Sequence, residues 1–162
     1  MKLYFLRHAS ALDVASSDAE RRLTKEGEEE ARIAGAALAE LGVKPAQILS
    51  SPLARAQQTA RIAAKQLGFS GDIQVLDELL NEASTLTLLK ALHSTGDAKE
   101  LLLVGHMPSL AEHIAGCIGV RESGGLGLGK GAMACVELVE LRIGAGTLRW
   151  LMRQKQLAKI SD

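Results

Sequence analysis

The pattern of apolar and polar residues predicts strands whose carboxyl ends carry the reactive side chains. Lys2–Leu6 is almost entirely apolar and runs directly into Arg7 and His8. A short apolar run without alternation is typical of a strand buried on both faces of a sheet. The segment Leu101–Val104 repeats this pattern and is followed by His106. Both segments therefore predict central strands that end in polar, potentially functional residues.

Helical signals separate the predicted strands. Thr24 is an N-cap followed by an acidic first turn, and Ser51-Pro52 begins a second helix with proline in the first turn. Ser84 caps a third helix that ends near His93, and Met107-Pro108-Ser109 begins a fourth. The other predicted strands are Gln47–Ser50, Ile73–Leu76, Met133–Leu141 and Thr147–Met152.

The order of these elements predicts the fold class. Four strand–helix pairs followed by two strands indicate an α/β protein with three α/β/α layers and a mostly parallel central sheet. The last two strands are joined by Gly144-Ala145-Gly146 and are predicted to form a C-terminal antiparallel hairpin. A length of 162 residues suits one domain spanning residues 1–162. The basic tail after Arg153 is expected to be mobile.

Composition excludes some functions. With 19 basic and 19 acidic residues the net charge is zero, and the four aromatic residues are scattered, so we expect no nucleic-acid partner. Cys117 and Cys135 lie in apolar contexts and match no zinc or redox spacing, which favours buried thiols. The first strand leaves no room for a signal peptide, and no apolar run could span a bilayer. We expect a cytoplasmic protein without a membrane partner.

Three predicted strand ends carry cations and imidazoles. Arg7 and His8 follow the first strand, Arg55 lies in the first turn after the second, and His106 follows the fourth. In a doubly wound sheet these ends share an edge, where ligands bind. Guanidinium groups bind phosphate oxygens bidentately, and a neutral imidazole can attack phosphorus. No carboxylate cluster suited to magnesium accompanies them, so the expected site is metal-independent and needs no cofactor.

Four motifs follow one another in order along the chain: Leu6-Arg7-His8-Ala9, Arg21-Arg22-Leu23-Thr24-x-x-Gly27, Ser50-Ser51-Pro52-Leu53-x-Arg55-Ala56-x-Gln58-Thr59-Ala60 and Val104-Gly105-His106. These motifs resemble those of the histidine phosphatase superfamily, also called phosphoglycerate mutase-like. The motifs cover about the first two thirds of the chain. In its small size the chain resembles members of the phosphohistidine phosphatase, or SixA-type, branch. Ala9 stands where many members have glycine.

The resemblance implies a role for each of these residues. His8 would attack phosphorus and carry a transient phosphohistidine, while Arg7, Arg55 and His106 would bind the phosphoryl oxygens as catalytic and substrate-binding groups. Many members place a general acid in an L-x-E segment after the third strand. Glu82 in Leu80-Asn81-Glu82 fits that spacing, although the SixA-type branch often lacks this glutamate. Glu82 is therefore either the acid or a solvated loop residue.

Two other patterns suggest competing chemistry. The segment Gly124–Gly131 nearly matches a P-loop, but Gly131 replaces the required hydroxyl residue and the segment lies between a helix and a strand. It is interpreted as a flexible loop. His106 and His113 are seven residues apart and lack a third ligand, so a metal site is not expected. His93 and His113 are interpreted as ordinary helix residues.

The predicted function is a phosphatase that uses a histidine nucleophile and a phosphohistidine intermediate. The expected substrate is phosphohistidine on a signalling or phosphotransfer protein. One alternative is a small phosphoester substrate hydrolysed by the same chemistry, which a working acid at Glu82 would favour. A second alternative is a non-catalytic module that binds phosphorylated proteins.

Overall fold

The computed structural model describes residues 1–162 and confirms the predicted three-layer α/β/α fold. The strands are β1 (Lys2–Arg7), β2 (Gln47–Ser50), β3 (Ile73–Val75), β4 (Glu100–Gly105), β5 (Met133–Leu138) and β6 (Gly146–Met152). The helices are α1 (Lys25–Glu40), α2 (Ala54–Leu67), α3 (Thr85–Leu92), α4 (Ser109–Ile118) and α5 (Gln154–Ser161). Short 3₁₀ helices span Asp18–Glu20, Asp77–Leu79 and His93–Thr95.

The six strands form one mixed sheet in the order β3-β2-β4-β1-β5-β6. Strands β1, β2, β3 and β4 are parallel, whereas β5 pairs antiparallel with both β1 and β6. Arg7 pairs with Gly105, and Ser50 pairs with Val104, so β1, β4 and β2 end at nearly the same height. The residues that follow these three strands are consequently neighbours at one edge of the sheet.

Two apolar cores lie on opposite faces of the sheet because successive strand residues point to opposite sides. In β1, Leu3 and Phe5 pack into the core that is covered by α3 and α4. Tyr4 and Leu6 pack into the core that is covered by α1, α2 and α5. This burial on both faces is what the continuous apolar run of β1 predicted.

The helix starts follow the capping signals with one shift. The side chain of Thr24 accepts a hydrogen bond from the backbone N–H of Gly27, and Ser84 caps α3 in the same way. Helix α2 begins at Ala54 with Leu53 as its N-cap, so Pro52 lies just before the helix and outside its first turn. The predicted start was therefore early by about one half-turn, which leaves Arg55 as the second helical residue.

The prediction of a mobile tail after Arg153 was wrong. Residues Gln154–Ser161 form α5, which packs against α1 and buries Leu157 completely. The side-chain amide of Gln154 donates to the carbonyl oxygens of Gly131 at 2.9 Å and Glu30 at 2.8 Å. Because these contacts join residues far apart in sequence, the local pattern of the tail gave no sign of them.

Both cysteines are buried free thiols, as predicted. Burial raises the pKa of Cys117 to about 12 and that of Cys135 to about 11, so neither forms a thiolate readily. None of the helices combines the length and the apolar character that crossing a bilayer requires.

Candidate active site

The sheet edge brings together the two histidines and the two arginines that the sequence singled out. The backbone N–H of His8 donates to the carbonyl of Gly105 at 3.0 Å, which fixes the end of β1 beside the end of β4. The ring centroids of His8 and His106 are 5.0 Å apart, with an interplanar angle of 52°. The positive charges of Arg7 and Arg55 lower the pKa of both imidazoles, so all four groups share one electrostatic environment.

The imidazole of His8 is held in a tautomer that suits a nucleophile. Its Nδ1 lies 2.8 Å from the carbonyl oxygen of Ala9. Because a carbonyl only accepts hydrogen bonds, Nδ1 carries the proton and Nε2 has a free lone pair. Burial lowers the pKa of His8 to about 3, and the charges of His106, Arg55 and Arg7 also lower it. The ring is therefore neutral at physiological pH.

The second imidazole is fixed by Ser51, the first residue after β2. Nε2 of His106 lies 2.7 Å from Oγ of Ser51, and this Oγ accepts a hydrogen bond from the N–H of Leu53 at 3.3 Å. Because this hydroxyl already accepts one hydrogen bond, its own proton finds a partner when it points to Nε2 of His106. Nε2 is then the acceptor, so the ring proton of His106 lies on Nδ1. Burial, followed by the charge of Arg55, lowers the pKa of His106 to about 4, whereas Asp18 raises it.

Each arginine of the site is anchored by a carbonyl group from a loop. Arg7 donates from Nη1 to the carbonyl of Leu128 at 2.8 Å. Arg55 donates from Nη1 to the carbonyl of Asp18 at 2.9 Å and from Nη2 to its carboxylate at 3.2 Å. The guanidinium groups are thus oriented before any ligand binds, which reduces the entropy lost on binding.

Three buried N–H groups at this edge have no protein partner. They are Nε of Arg7, Nε of Arg55 and Nδ1 of His106. An unpaired buried donor is unfavourable by about 1–3 kcal/mol, so native proteins seldom retain one without a function. Three such donors beside the free lone pair of His8 form an arrangement suited to a tetrahedral oxyanion, whose oxygens accept several hydrogen bonds at once.

The remaining motif residues support the segment that follows His8. Thr59, completely buried in α2, donates to the carbonyl of Arg55 at 2.7 Å and accepts from the N–H of Ala9 at 3.1 Å. Gly27 lies so close to Ser10 that a Cβ at position 27 would be 1.9 Å from the Ser10 carbonyl oxygen. These contacts explain why the motif places a hydroxyl and a glycine at these positions.

The acidic run Glu28-Glu29-Glu30 in α1 includes one residue that contacts the loop after His8. The carboxylate of Glu30 accepts from the N–H of Ser10 at 2.7 Å and from its hydroxyl group at 3.0 Å. This pairing closes the loop beyond His8 and Ala9 from the α1 side. This contact could not be predicted from the sequence, because nothing in the run distinguishes Glu30 from the other two glutamates, which are exposed.

Glu82 forms no hydrogen bond or ion pair with the other predicted site residues. It is exposed, makes no hydrogen bond or ion pair, and does not contribute to the pKa shift of either site histidine. It lines a shallow recess together with Asp77, Glu78, Leu80 and Ala83. Its neighbour Asn81 is tied to the site more directly, since its Oδ1 accepts from the N–H of Ser109 at 3.3 Å. The role of Glu82 as general acid stays a prediction.

The glycine-rich segment Gly124–Gly131 lies between α4 and β5 and does not join a strand to a helix. Leu128 is only 2% exposed and packs into the core beside α3 and α4, which places its carbonyl against Arg7. The interpretation as a flexible loop was therefore incomplete, because one apolar residue anchors the segment. The alternation of glycine with leucine was the only sequence signal of this anchor.

The other two histidines lie outside the site. His113 is fully buried in α4, with Nδ1 3.3 Å from the hydroxyl of Thr85, and burial lowers its pKa to about 4. His93 is exposed and its Nδ1 bonds to the carbonyl of Leu89 at 3.0 Å. No group of three or more histidine, cysteine or acidic side chains lies close enough together to hold a metal ion.

Fold, motifs and site geometry together define a class of protein. The family model described as the histidine phosphatase superfamily (branch 1) matches residues 3–88, which is more than half of the chain. The chain therefore belongs to the histidine phosphatase superfamily, which confirms the family identified from the motifs. This membership supports phosphatase activity.

Particular relatives refine this assignment. The solved structure of the protein histidine phosphatase SixA complexed with tungstate has a TM-score of 0.88 and 27% identity, and the match covers 97% of this chain and 99% of that one. An uncharacterized protein of Picosynechococcus sp. is 42% identical over 69% of this chain and 70% of its own length. The mitochondrial serine/threonine-protein phosphatase Pgam5 of Drosophila erecta is 34% identical over 52% of this chain, a match that spans 29% of Pgam5.

Proposed function

We propose that this protein hydrolyses phosphohistidine on a partner protein through a phosphorylated His8. The observation that carries the proposal is the set of three unpartnered N–H groups, on Arg7, Arg55 and His106, around a neutral imidazole with its lone pair on Nε2. The likeness to SixA, whose structure was determined with the tetrahedral oxyanion tungstate, supports the same chemistry.

The first step would transfer the phosphoryl group between two imidazoles. Nε2 of His8 forms a bond to phosphorus while the P–N bond of the substrate breaks, and the electron pair returns to the substrate nitrogen. If the substrate ring carries a proton on its other nitrogen, it leaves as a neutral imidazole and no proton moves. His8 becomes a phosphoimidazolium ring whose Nδ1–H remains bonded to the Ala9 carbonyl.

The second step would hydrolyse this intermediate. Water attacks phosphorus, the P–N bond to His8 breaks, and the electron pair returns to Nε2. Both protons of the water leave with the product as dihydrogen phosphate, so His8 is regenerated in its starting tautomer. The N–H groups of Arg7, Arg55 and His106 would bind the equatorial oxygens and stabilise the charge of both transition states.

This chemistry explains why an exposed Glu82 is compatible with turnover. An imidazole is a better leaving group than an alkoxide, and a leaving ring that already carries its proton needs no general acid. A phosphoserine or alkyl phosphate, by contrast, would need a proton donor near the leaving oxygen.

Hydrolysis of small phosphoesters is the second candidate function. One observation favours it: the position of Glu82 in an L-x-E segment. It would use the same nucleophile and the same oxyanion site. The two functions are distinguished by comparing kcat/KM for a phosphohistidine protein and p-nitrophenyl phosphate.

The test is to trap the intermediate with a substrate protein labelled with ³²P on histidine. We expect an acid-labile, base-stable label on the wild-type chain after rapid quenching, and none on His8→Ala. The matched control is His93→Ala, because His93 is exposed and lies outside the site. Label on the His8→Ala variant, or a wild-type chain that binds the substrate without ever taking up label, would overturn the proposal. The second of these outcomes would indicate a binding module.

A further inference from the structure

Asp18 is the one acidic residue that contacts the basic groups of the site. It begins the short 3₁₀ helix in the loop between β1 and α1. Its Oδ2 accepts from Nη2 of Arg55 at 3.2 Å, and its Oδ1 accepts from Nε of Arg21 at 3.0 Å. The reaction described above does not use this carboxylate.

The contact with Arg55 joins a buried group to an exposed one. The side chain of Arg55 is 8% exposed, whereas that of Asp18 is 66% exposed. Asp18 therefore lies on the solvent side of the guanidinium, while Nε of Arg55 is buried and has no partner. A phosphoryl group bound at Nε would share the guanidinium of Arg55 with the carboxylate of Asp18.

The carboxylate of Asp18 is ionised under ordinary conditions. The hydrogen bond from Arg21 and the charge of Arg55 hold the pKa of Asp18 below its usual range. Its charge also reaches the reacting groups, since it raises the pKa of His106 against the lowering effect of Arg55. An ionised carboxylate cannot serve as a general acid, so its influence on the substrate must be electrostatic.

The negative charge of Asp18 beside Arg55 affects different substrates in opposite directions. A dianionic phosphomonoester brings only negative charge and is repelled. A phosphohistidine with a protonated ring brings a positive charge on the leaving group, which the carboxylate attracts. A shallow recess of about 240 Å³ adjoins Asp18 and is lined also by Asp13, Ala15, Ser17 and Arg21, which gives room for part of a substrate at this position.

We propose that Asp18 is a specificity-determining residue that favours phosphoryl groups carried on a positively charged ring over those of phosphomonoesters. This inference rests on the proposed phosphohistidine phosphatase function and deepens it by assigning the discrimination to one side chain. The backbone carbonyl of Asp18 has a separate, positioning role, because it holds Nη1 of Arg55 at 2.9 Å whatever the side chain.

The experiment measures kcat/KM for a phosphohistidine peptide and for p-nitrophenyl phosphate with the wild type and Asp18→Asn. The asparagine keeps the backbone carbonyl and one acceptor oxygen but removes the charge. We expect kcat/KM to fall about fivefold for the phosphohistidine peptide and to rise for p-nitrophenyl phosphate, as loss of one partly screened charge interaction predicts. Asp72→Asn removes an exposed charge before β3, at the opposite edge of the sheet, and should leave the ratio of the two values unchanged.

The opposite signs of the expected changes in kcat/KM for the two substrates distinguish a role in specificity from a structural role. If Asp18→Asn lowers both values by the same factor, Asp18 only positions Arg55 and the inference is wrong. A ratio that shifts toward the phosphohistidine peptide would also overturn it. Failure of the proposed function itself is seen earlier and separately, as a wild-type enzyme that hydrolyses p-nitrophenyl phosphate but not the peptide.

Discussion

The hydroxyl group of Ser51 lies 2.7 Å from Nε2 of His106 and leaves Nδ1 of that ring unpartnered and buried. The two residues are 55 positions apart and meet because β2 and β4 are adjacent parallel strands with level ends. Ser51 thereby determines which nitrogen of His106 carries a proton toward the site. Ser51, which the sequence identified only as part of a motif, is therefore expected to position the imidazole that we propose binds the substrate.

Replacing Ser51 with alanine should impair turnover without unfolding the protein. Loss of one buried hydrogen bond, with a ring free to change tautomer, should lower kcat by about tenfold. Ser50→Ala is the matched control, because Ser50 is equally buried but bonds only to the carbonyl of Ser51. Steady-state kinetics on both variants check this, and equal kcat values would show that Ser51 does not orient His106.

Leu128 should couple stability to the orientation of Arg7. Truncation of this core residue in Leu128→Ala should lower the free energy of unfolding by about 3 kcal/mol because it leaves a cavity. The truncation should also shift the carbonyl of residue 128, which accepts a hydrogen bond from Arg7, and so lower kcat/KM at temperatures where the variant is fully folded. Leu126→Ala, in the same loop but only partly buried, is the control. Urea denaturation and kinetics measure the two effects; unchanged kcat/KM in a destabilised, folded Leu128→Ala would contradict the coupling.

The glycine at position 27 should not tolerate a side chain. In Gly27→Ala the new Cβ would overlap the Ser10 carbonyl, and the displaced loop would lower the free energy of unfolding by about 3 kcal/mol. Gly124→Ala should have little effect, since a Cβ there meets nothing within 4 Å. Thermal unfolding of the two variants compares them, and equal Tm values would disprove the close approach.

Substitution of Glu82 should matter little for a phosphohistidine substrate. Because the side chain is exposed and makes no polar contact, Glu82→Gln should change kcat/KM for a phosphohistidine peptide by less than about twofold. A working general acid would instead give a large loss with a phosphoserine peptide, whose alkoxide leaving group needs a proton, and only a small loss with p-nitrophenyl phosphate, whose phenolate leaves without one. Measuring all three substrates decides between the two candidate activities, with Glu78→Gln as a control from the same recess.

Stability should fall as the pH is lowered below about 6.5. Burial lowers the pKa of His8 to about 3 and those of His106 and His113 to about 4. Between pH 5 and pH 6.5 these three imidazoles therefore stay neutral in the folded protein, whereas in the unfolded chain they bind protons. The unfolded state then binds more protons, and the free energy of unfolding decreases by up to about 2 kcal/mol per histidine between pH 6.5 and pH 5.

The measurement is urea denaturation between pH 5 and pH 7.5. His8→Asn removes one of the three groups and should flatten the dependence on pH, whereas His93→Asn should leave it as in the wild type. A wild-type stability that rises as the pH falls through this range would contradict the predicted sign.

Much of the architecture could be predicted from the sequence because its signals are local. The apolar runs of β1 and β4 identified central strands, and the capping residues Thr24 and Ser84 identified two helix starts. Since parallel strands bring their carboxyl ends to one edge, the meeting of His8 with His106 followed from the order of the elements. The tail helix α5 was missed because it is stabilised by contacts with α1, more than 100 residues away.

The sequence by itself determined which side chains could react, because an imidazole and a guanidinium keep their chemistry wherever the chain places them. Only the tertiary structure decided how those groups are held: Ser51 against His106, the Leu128 carbonyl against Arg7, and Asp18 against Arg55. Each of these contacts joins separate elements, and its geometry depends on the packing of the whole domain. Proton positions, free donors and local charge are properties of that packing and cannot be derived from the spacing of residues along the chain.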